Sequence, residues 1–284
     1  MKAIYDVPAP AKLNTFLHVV GRRADGYHLI QSVFMLIDWY DTLHFELRTD
    51  GKVSRRDLLD KGNERLPAQD LTVRAAKALQ NASGTNLGVD ISLEKRIPSN
   101  AGMGGGSSDA ASCLLALQRL WNVRLPQEKL HEIALSLGAD VSFFLCGGNA
   151  WVEGIGEQIS PVKLPTADFV VIKPRSGLST PAIFASPELK RDTETATIES
   201  FAENTERNIF EFGRNDLQPV SEALCPEISR SLDWLSAAKL NGRMTGSGSA
   251  VFAQLRHEAT LPIASSKWQI RKCSNLQSHP LIGW

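Results

Sequence analysis

The densest chemistry in the sequence lies between residues 97 and 111, Ile97-Pro98-Ser99-Asn100-Ala101-Gly102-Met103-Gly104-Gly105-Gly106-Ser107-Ser108-Asp109-Ala110-Ala111. Glycine occupies 102, 104, 105 and 106, so the backbone can take positive φ values and approach a ligand closely. Ser107, Ser108 and Asp109 are residue types that favour a helix start, and the apolar run that follows continues the helix. Such a loop delivers unpaired N–H groups and the positive end of a helix dipole to one point, which is the chemistry of phosphate binding. Ser107 stands where a Walker loop requires lysine, and the glycines lack the spacing of a dinucleotide fingerprint. A flexible linker would not be framed by a strand and a helix.

Other residues gain interest from their positions. Lys12 and Asn14 are two apart in a strand-like stretch and share a face; polar residues at a strand edge are the alternative. Asp140 follows Gly138, where a predicted helix ends, and can serve as a base for a hydroxyl proton or as an N-cap for the residues after it. Tyr27 and His28 follow the glycine turn at 21–26. Lys95 and Arg96 close the strand before the loop, where they can hold phosphate charge or face solvent. A second glycine-serine run, Met244-Thr245-Gly246-Ser247-Gly248-Ser249, leads into another strand; a tight turn is its plain reading.

The positioning elements follow from periodicity. Strands are predicted at 13–20, 27–37, 43–47, 89–94, 150–153, 169–172 and 251–253. Helices are predicted from Asp70 as cap through 82, across the 110–117 run, from Pro126 to the Gly138 stop, at 217–224 and at 228–240. Residues 49–69 read as an irregular polar excursion and 188–207 as a surface loop. The proline-marked stretch 161–165 is the expected boundary between a domain over 1–160 and a domain over 161–284. The mixture is α+β, with the site in the cleft between the domains.

The chain has 284 residues, 43% hydrophobic and 22% charged, with a formal net charge of zero. No basic field points to nucleic acid or to an anionic membrane, so an anionic ligand needs a local site. No secretory leader pattern or membrane-length apolar run is visible. Cys113, Cys146, Cys225 and Cys273 are scattered, which predicts reduced thiols, no metal framework and a cytoplasmic protein; Cys113, among leucines, is expected in the core.

Three motifs in order, Pro10-Ala11-Lys12-Leu13-Asn14, the glycine loop and the run at 244–249, resemble the GHMP kinase superfamily. The stretch Gly21-Arg22-Arg23-Ala24-Asp25-Gly26-Tyr27-His28 and the tetrad Gly138-Ala139-Asp140-Val141 narrow the resemblance to a branch acting on a cytidine-diphosphate-linked methylerythritol. The resemblance implies an N-terminal α/β domain with a left-handed βαβ unit and a ferredoxin-like C-terminal domain. It implies ATP-dependent phosphorylation of the 2-hydroxyl of that acceptor in non-mevalonate isoprenoid biosynthesis, with Mg²⁺ carried on the nucleotide. It further implies Lys12 and Asp140 as catalytic pair. ATP is expected at Lys95, Pro98, Gly102, Met103, Gly104, Gly105, Gly106, Ser107 and Ser108, and the acceptor at Asn14, Tyr27, His28, Phe184, Thr245, Gly246, Ser247 and Gly248. Tyr27 and Phe184 would stack on the base and His28 would bond its edge. A monomer or weak homodimer is expected. One departure stands out: Asp70 occupies a position near the adenosine where the family often has Asn, and an ionised Asp only accepts hydrogen bonds. A sensor that binds nucleotide without chemistry would be free to lose Lys12 or Asp140, and both are present.

Overall fold

A hairpin of two long strands is the spine of the molecule. In the computed structural model, which describes residues 1–58, 66–203, 209–256 and 259–284, β1 (Ala3–Arg22) runs antiparallel to β2 (His28–Arg48). The separate strands expected at 27–37 and 43–47 are therefore one strand. The reason is a register shift between Pro10 and Ala11, where Pro10 faces Tyr40 but Ala11 faces Ile37. Before the skipped residues Phe34 and Leu36 enter the helix-side core; after them Leu43 and Phe45 do. The bulge thus switches the apolar phase from even to odd, which in sequence looks like a break between strands.

The rest of the first sheet is built from β3 (Val53–Asp57), β4 (Gly88–Glu94), β5 (Ala150–Glu153) and β6 (Gln158–Pro161), in the order β3-β4-β2-β5-β6 with β1 on β2. The excursion expected over 49–69 thus contains a strand, β3, parallel to β4; residues 59–65 lie outside the described residues. Helix α1 (Leu71–Ser83) connects β3 to β4, so the three form a βαβ unit. Asp70 caps α1 by accepting from the Val73 N–H at 3.1 Å, and Gly84 ends it at φ 66°. With α2 (Gly105–Leu120), α3 (Gln127–Leu137) and α4 (Ala139–Cys146) it covers one face of the sheet, and Cys113 is fully buried there.

The other face packs on a second sheet. This is β7 (Asp168–Lys173), β8 (Arg243–Met244), β9 (Val251–Gln254) and β10 (Gln269–Ser274), in the order β10-β7-β9-β8 and antiparallel throughout. That is the strand order of a ferredoxin-like sheet, with a loop instead of a helix between β9 and β10 among the described residues. Phe16, Met35 and Trp151 meet Phe169, Val171 and Phe252 between the sheets. The far face of the second sheet is closed by α5 (Thr180–Ala185), α7 (Gln218–Leu224) and α8 (Pro226–Ala237).

The segment expected as a surface loop over 188–207 is fastened down instead. It holds α6 (Ile198–Glu203), with Leu189 and Phe201 buried; residues 204–208 lie outside the described residues. The chain finally returns to the first half. Leu276 N–H donates to Leu36 O at 2.8 Å, His279 N–H to Gly147 O at 2.8 Å, and Leu281 enters the helix-side core.

Candidate active site

Three segments far apart in sequence are stitched together at the junction of the two sheets. The Lys12 N–H on β1 donates to Met103 O of the glycine loop at 3.0 Å. The loop's Asn100 and Ala101 carbonyls accept from the Ser249 and Ala250 N–H groups, each at 3.2 Å. Thr245 Oγ1 accepts from the Asn14 N–H at 2.9 Å, and Asn215 Nδ2 donates to Met244 O and Gly246 O at 2.8 Å each. Glycine is required at the closest crossing: at Gly102, φ +73°, a Cβ would lie 2.2 Å from Thr245 O.

The loop then enters α2. Gly104 is the N-cap at φ 70°, ψ 17°, so Ser107 and Ser108 lie inside the first turn and do not cap it, contrary to the capping expectation. Because a helix cannot satisfy its first N–H groups internally, those of the first turn are available to an anion, and the helix dipole favours it there. A Cβ on Gly104 would lie 3.3 Å from Lys12 Cγ, which places the lysine stem directly beneath the loop.

Lys12 is 4% exposed. Its ammonium donates to Asn14 Oδ1 at 2.5 Å, stands 3.6 Å from Asp140 Oδ2, and lies 4.2 Å from the centre of the Phe34 ring. Burial pushes its pKa below the ordinary lysine value, and Asp140 counteracts part of that shift. Asn14 Nδ2 donates to Ser32 Oγ at 2.9 Å, which fixes the amide with its oxygen toward Lys12. Asp140 is in the first turn of α4, whose N-cap is Gly138, so the N-cap alternative for Asp140 does not hold.

A cavity of about 1020 Å³ opens over this pair. Of the residues singled out in the sequence, Lys12, Asn14, Tyr27, His28, Lys95, Pro98, Gly102 to Gly106, Asp140, Phe184 and Gly246 to Gly248 line it. Ser107, Ser108 and Thr245 do not. Thr245 is fully buried behind Asn14, and Ser108 is fully buried with its hydroxyl unpartnered among the described residues. Of the two residues that could hold phosphate charge or face solvent, Lys95 is in the cavity wall, whereas the Arg96 guanidinium is outside it and pairs with Glu94 at 2.8 Å.

Two carboxylates were missed in the sequence. Lys95 Nζ bonds Asp41 Oδ2 and, at 2.7 Å, Asp109 Oδ2. Burial opposes its charge, yet the two carboxylates hold its pKa above the ordinary value. Burial also pushes the Asp109 carboxyl upward; Lys95 opposes this and the Asp41 charge adds to it. An acidic residue inside the apolar run of β2 was the available signal for Asp41. At the other end of the cavity the His28 and Phe184 rings lie 4.9 Å apart at 31°, with Tyr27 exposed beside them. Asp70 lines the wall near the start of α2 and pairs with Arg55 at 2.7 Å.

This fold and site are those of a small-molecule kinase. Residues 70–148 match the family model described as GHMP kinases N terminal domain, and residues 194–274 the one described as GHMP kinases C terminal. A homoserine kinase from Cytophaga hutchinsonii shares the fold at a TM-score of 0.71 and 15% identity, over 98% of this chain and 96% of its own. A Polaromonas protein named 4-diphosphocytidyl-2-C-methyl-D-erythritol kinase is 72% identical over all of this chain and 95% of its own length. An Acidovorax protein of the same name is 59% identical over all of this chain and 99% of its own. A crystal structure of a 4-(cytidine 5'-diphospho)-2C-methyl-D-erythritol kinase superposes at a TM-score of 0.78 and 32% identity, over 94% of this chain and 98% of that one. The chain belongs to the GHMP kinases and, within them, to the 4-diphosphocytidyl-2-C-methyl-D-erythritol kinases.

Proposed function

We propose that the chain transfers the γ-phosphoryl group of ATP to the 2-hydroxyl of 4-diphosphocytidyl-2-C-methyl-D-erythritol, giving the 2-phosphate and ADP for non-mevalonate isoprenoid synthesis. The observation that carries this reading is the buried Lys12 ammonium, 3.6 Å from Asp140 and beneath the glycine loop, in the wall of one large cavity.

Phosphoryl transfer requires alignment, charge neutralisation and a destination for the hydroxyl proton. The first-turn N–H groups of α2 hold the triphosphate. Asp140, one-third exposed and adjoining Lys12, accepts the acceptor's proton. Lys12 keeps Asp140 ionised and places positive charge where the transition state carries negative charge. Asn14 holds that ammonium in place, and Thr245 holds Asn14. Tyr27, His28 and Phe184 receive the cytosine, and Gly246 to Gly248 close the wall behind it.

Mg²⁺ arrives with the nucleotide. Asp109 Oδ1 fits it: a buried carboxyl oxygen with no hydrogen-bond partner among the described residues, on a residue of the cavity wall, is the hard oxygen donor this cation takes. When bound, the ion neutralises phosphate charge. No helix among the described residues is long and apolar enough to cross a membrane, and we place the reaction in the cytoplasm. Purified protein should convert ATP to ADP only when the cytidyl acceptor is present; turnover of mevalonate or homoserine in its place would overturn the assignment.

A further inference from the structure

Arg191 lies in the segment that reads in sequence as a featureless loop, and its donors are spread over four acceptors. Nε donates to His28 Nε2 at 2.9 Å, and Nη1 to Leu189 O at 2.8 Å. Nη2 donates to Phe184 O at 3.0 Å and Ser186 O at 2.7 Å. The segment is anchored on both sides of it. Thr193 N–H donates to Val19 O at 3.1 Å, and Thr193 Oγ1 to Asp216 Oδ2 at 2.7 Å. Ala196 exchanges hydrogen bonds with the Gln31 side chain at 2.8 and 3.0 Å. One guanidinium therefore ties the start of β2, which carries His28, to the end of α5, which carries Phe184.

The contact has a chemical consequence. A guanidinium only donates and does not lose its proton, so His28 Nε2 must present its lone pair. The neutral imidazole then carries its hydrogen on Nδ1. A protonated His28 would set N–H against N–H, so the same contact disfavours the imidazolium. Burial and the positive charges of Arg191 and Arg22 hold the His28 pKa below its ordinary value in the same sense. No described residue hydrogen-bonds His28 Nδ1, and His28 lines the cavity.

We propose that Arg191 is a positioning residue for the pyrimidine subsite, fixing His28 as an Nδ1–H donor toward the acceptor edge of cytosine and holding its ring against Phe184. This rests on the functional reading above, in which His28 meets the base. Cytosine offers N3 and O2 as acceptors, and a neutral Nδ1–H matches either.

The tautomer can be read directly in the ¹⁵N spectrum of the imidazole side chains in substrate-free protein, with His28→Gln assigning the signal. The expected wild-type signature is protonated Nδ1 with unprotonated Nε2, changing to a mixture in Arg191→Ala. An Nε2–H signature in wild type would overturn the proposal. Titration with cytidine diphosphate supplies the second readout: Arg191→Ala should weaken its binding at least ten-fold while a non-hydrolysable ATP analogue binds within two-fold of wild type. Unchanged cytidine diphosphate affinity, or equal loss for both nucleotides, would also overturn it. Arg191→Lys, which keeps the charge but loses the planar fork, tests the same split if the alanine variant fails to fold. Failure of wild type to bind cytidine diphosphate would count against the functional reading, whereas the tautomer is judged without any ligand.

Discussion

Lys12 and Asp140 divide the chemistry between them, and their environments make separate predictions. Asp140→Asn keeps the shape of the site but cannot take a proton, so kcat should fall by about 10²- to 10⁴-fold, with ATP affinity retained in a binding titration. Full retention of kcat would remove Asp140 from the reaction. The Lys12 pKa is lowered by burial, the charge of Asp140 notwithstanding. Its positive charge is present below that lowered value and is lost as pH rises through it. The alkaline limb of kcat should therefore fall at a lower pH than an ordinary lysine would give, and a pH–rate profile checks this. Asn14 and Thr245 touch the lysine directly and at one remove, so changing them should affect kcat more than KM for ATP.

At the scale of elements, the meeting of loop, turn and strand depends on backbone proximity. At Gly102 both the positive φ and the nearby Thr245 carbonyl exclude a side chain. Gly102→Ala should cost about 1–3 kcal/mol of stability, measured by denaturant unfolding, and separate the loop from the turn at 245–248. Asp70 shows a second dependence: it caps α1 and also faces buried Arg55. Asp70→Ala should lose about 1 kcal/mol for the cap and more for the arginine, left among the described residues with Asp57 as its one carboxylate partner and the Leu66 carbonyl, seen as a lower Tm than in Asp70→Asn. Much of this arrangement was legible in sequence: the glycine loop with its helix, the cap at Asp70, the stop at Gly138, and Lys12 and Asn14 on one strand face. What escaped depended on long-range geometry. The β1–β2 bulge reversed the apolar phase that marks a strand. Asp41 and Asp109 gained meaning only once folding placed both against Lys95. Arg191 gave no sign because its partners are main-chain carbonyls and one imidazole brought over from β2.

On the scale of the whole molecule, the two sheets do not divide the chain into independent halves. The edge of β1 is covered by residues 214–216, with Leu17 N–H donating to Arg214 O at 2.8 Å and Asp216 N–H to Leu17 O at 2.8 Å. The tail at 276–281 closes the first half's core. His279 is 1% exposed there, and its Nδ1 accepts from the Leu281 N–H at 3.1 Å. Burial pushes its pKa down to about 4. Unfolding releases the imidazole to its ordinary value near 6.5, so the unfolded chain binds a proton that the folded one refuses. The stabilisation is complete above about pH 6.5 and lost as pH falls toward 4, by about 3 kcal/mol in all. Denaturant titrations across that range should show the slope in wild type and lack that share of it in His279→Gln. A fragment of residues 1–165 should likewise fail to give a cooperative unfolding transition, because the tail and the strand-edge cover are both missing. This interleaving also bears on how the protein is made. A ribosome makes the β1–β2 hairpin long before residues 214–216, which cover its edge, and residues 276–281, which seal the core it shares. Domain-by-domain folding during synthesis therefore leaves the first half incomplete: its apolar surface stays open to chaperones until residues 214–216 and 276–281 have been made.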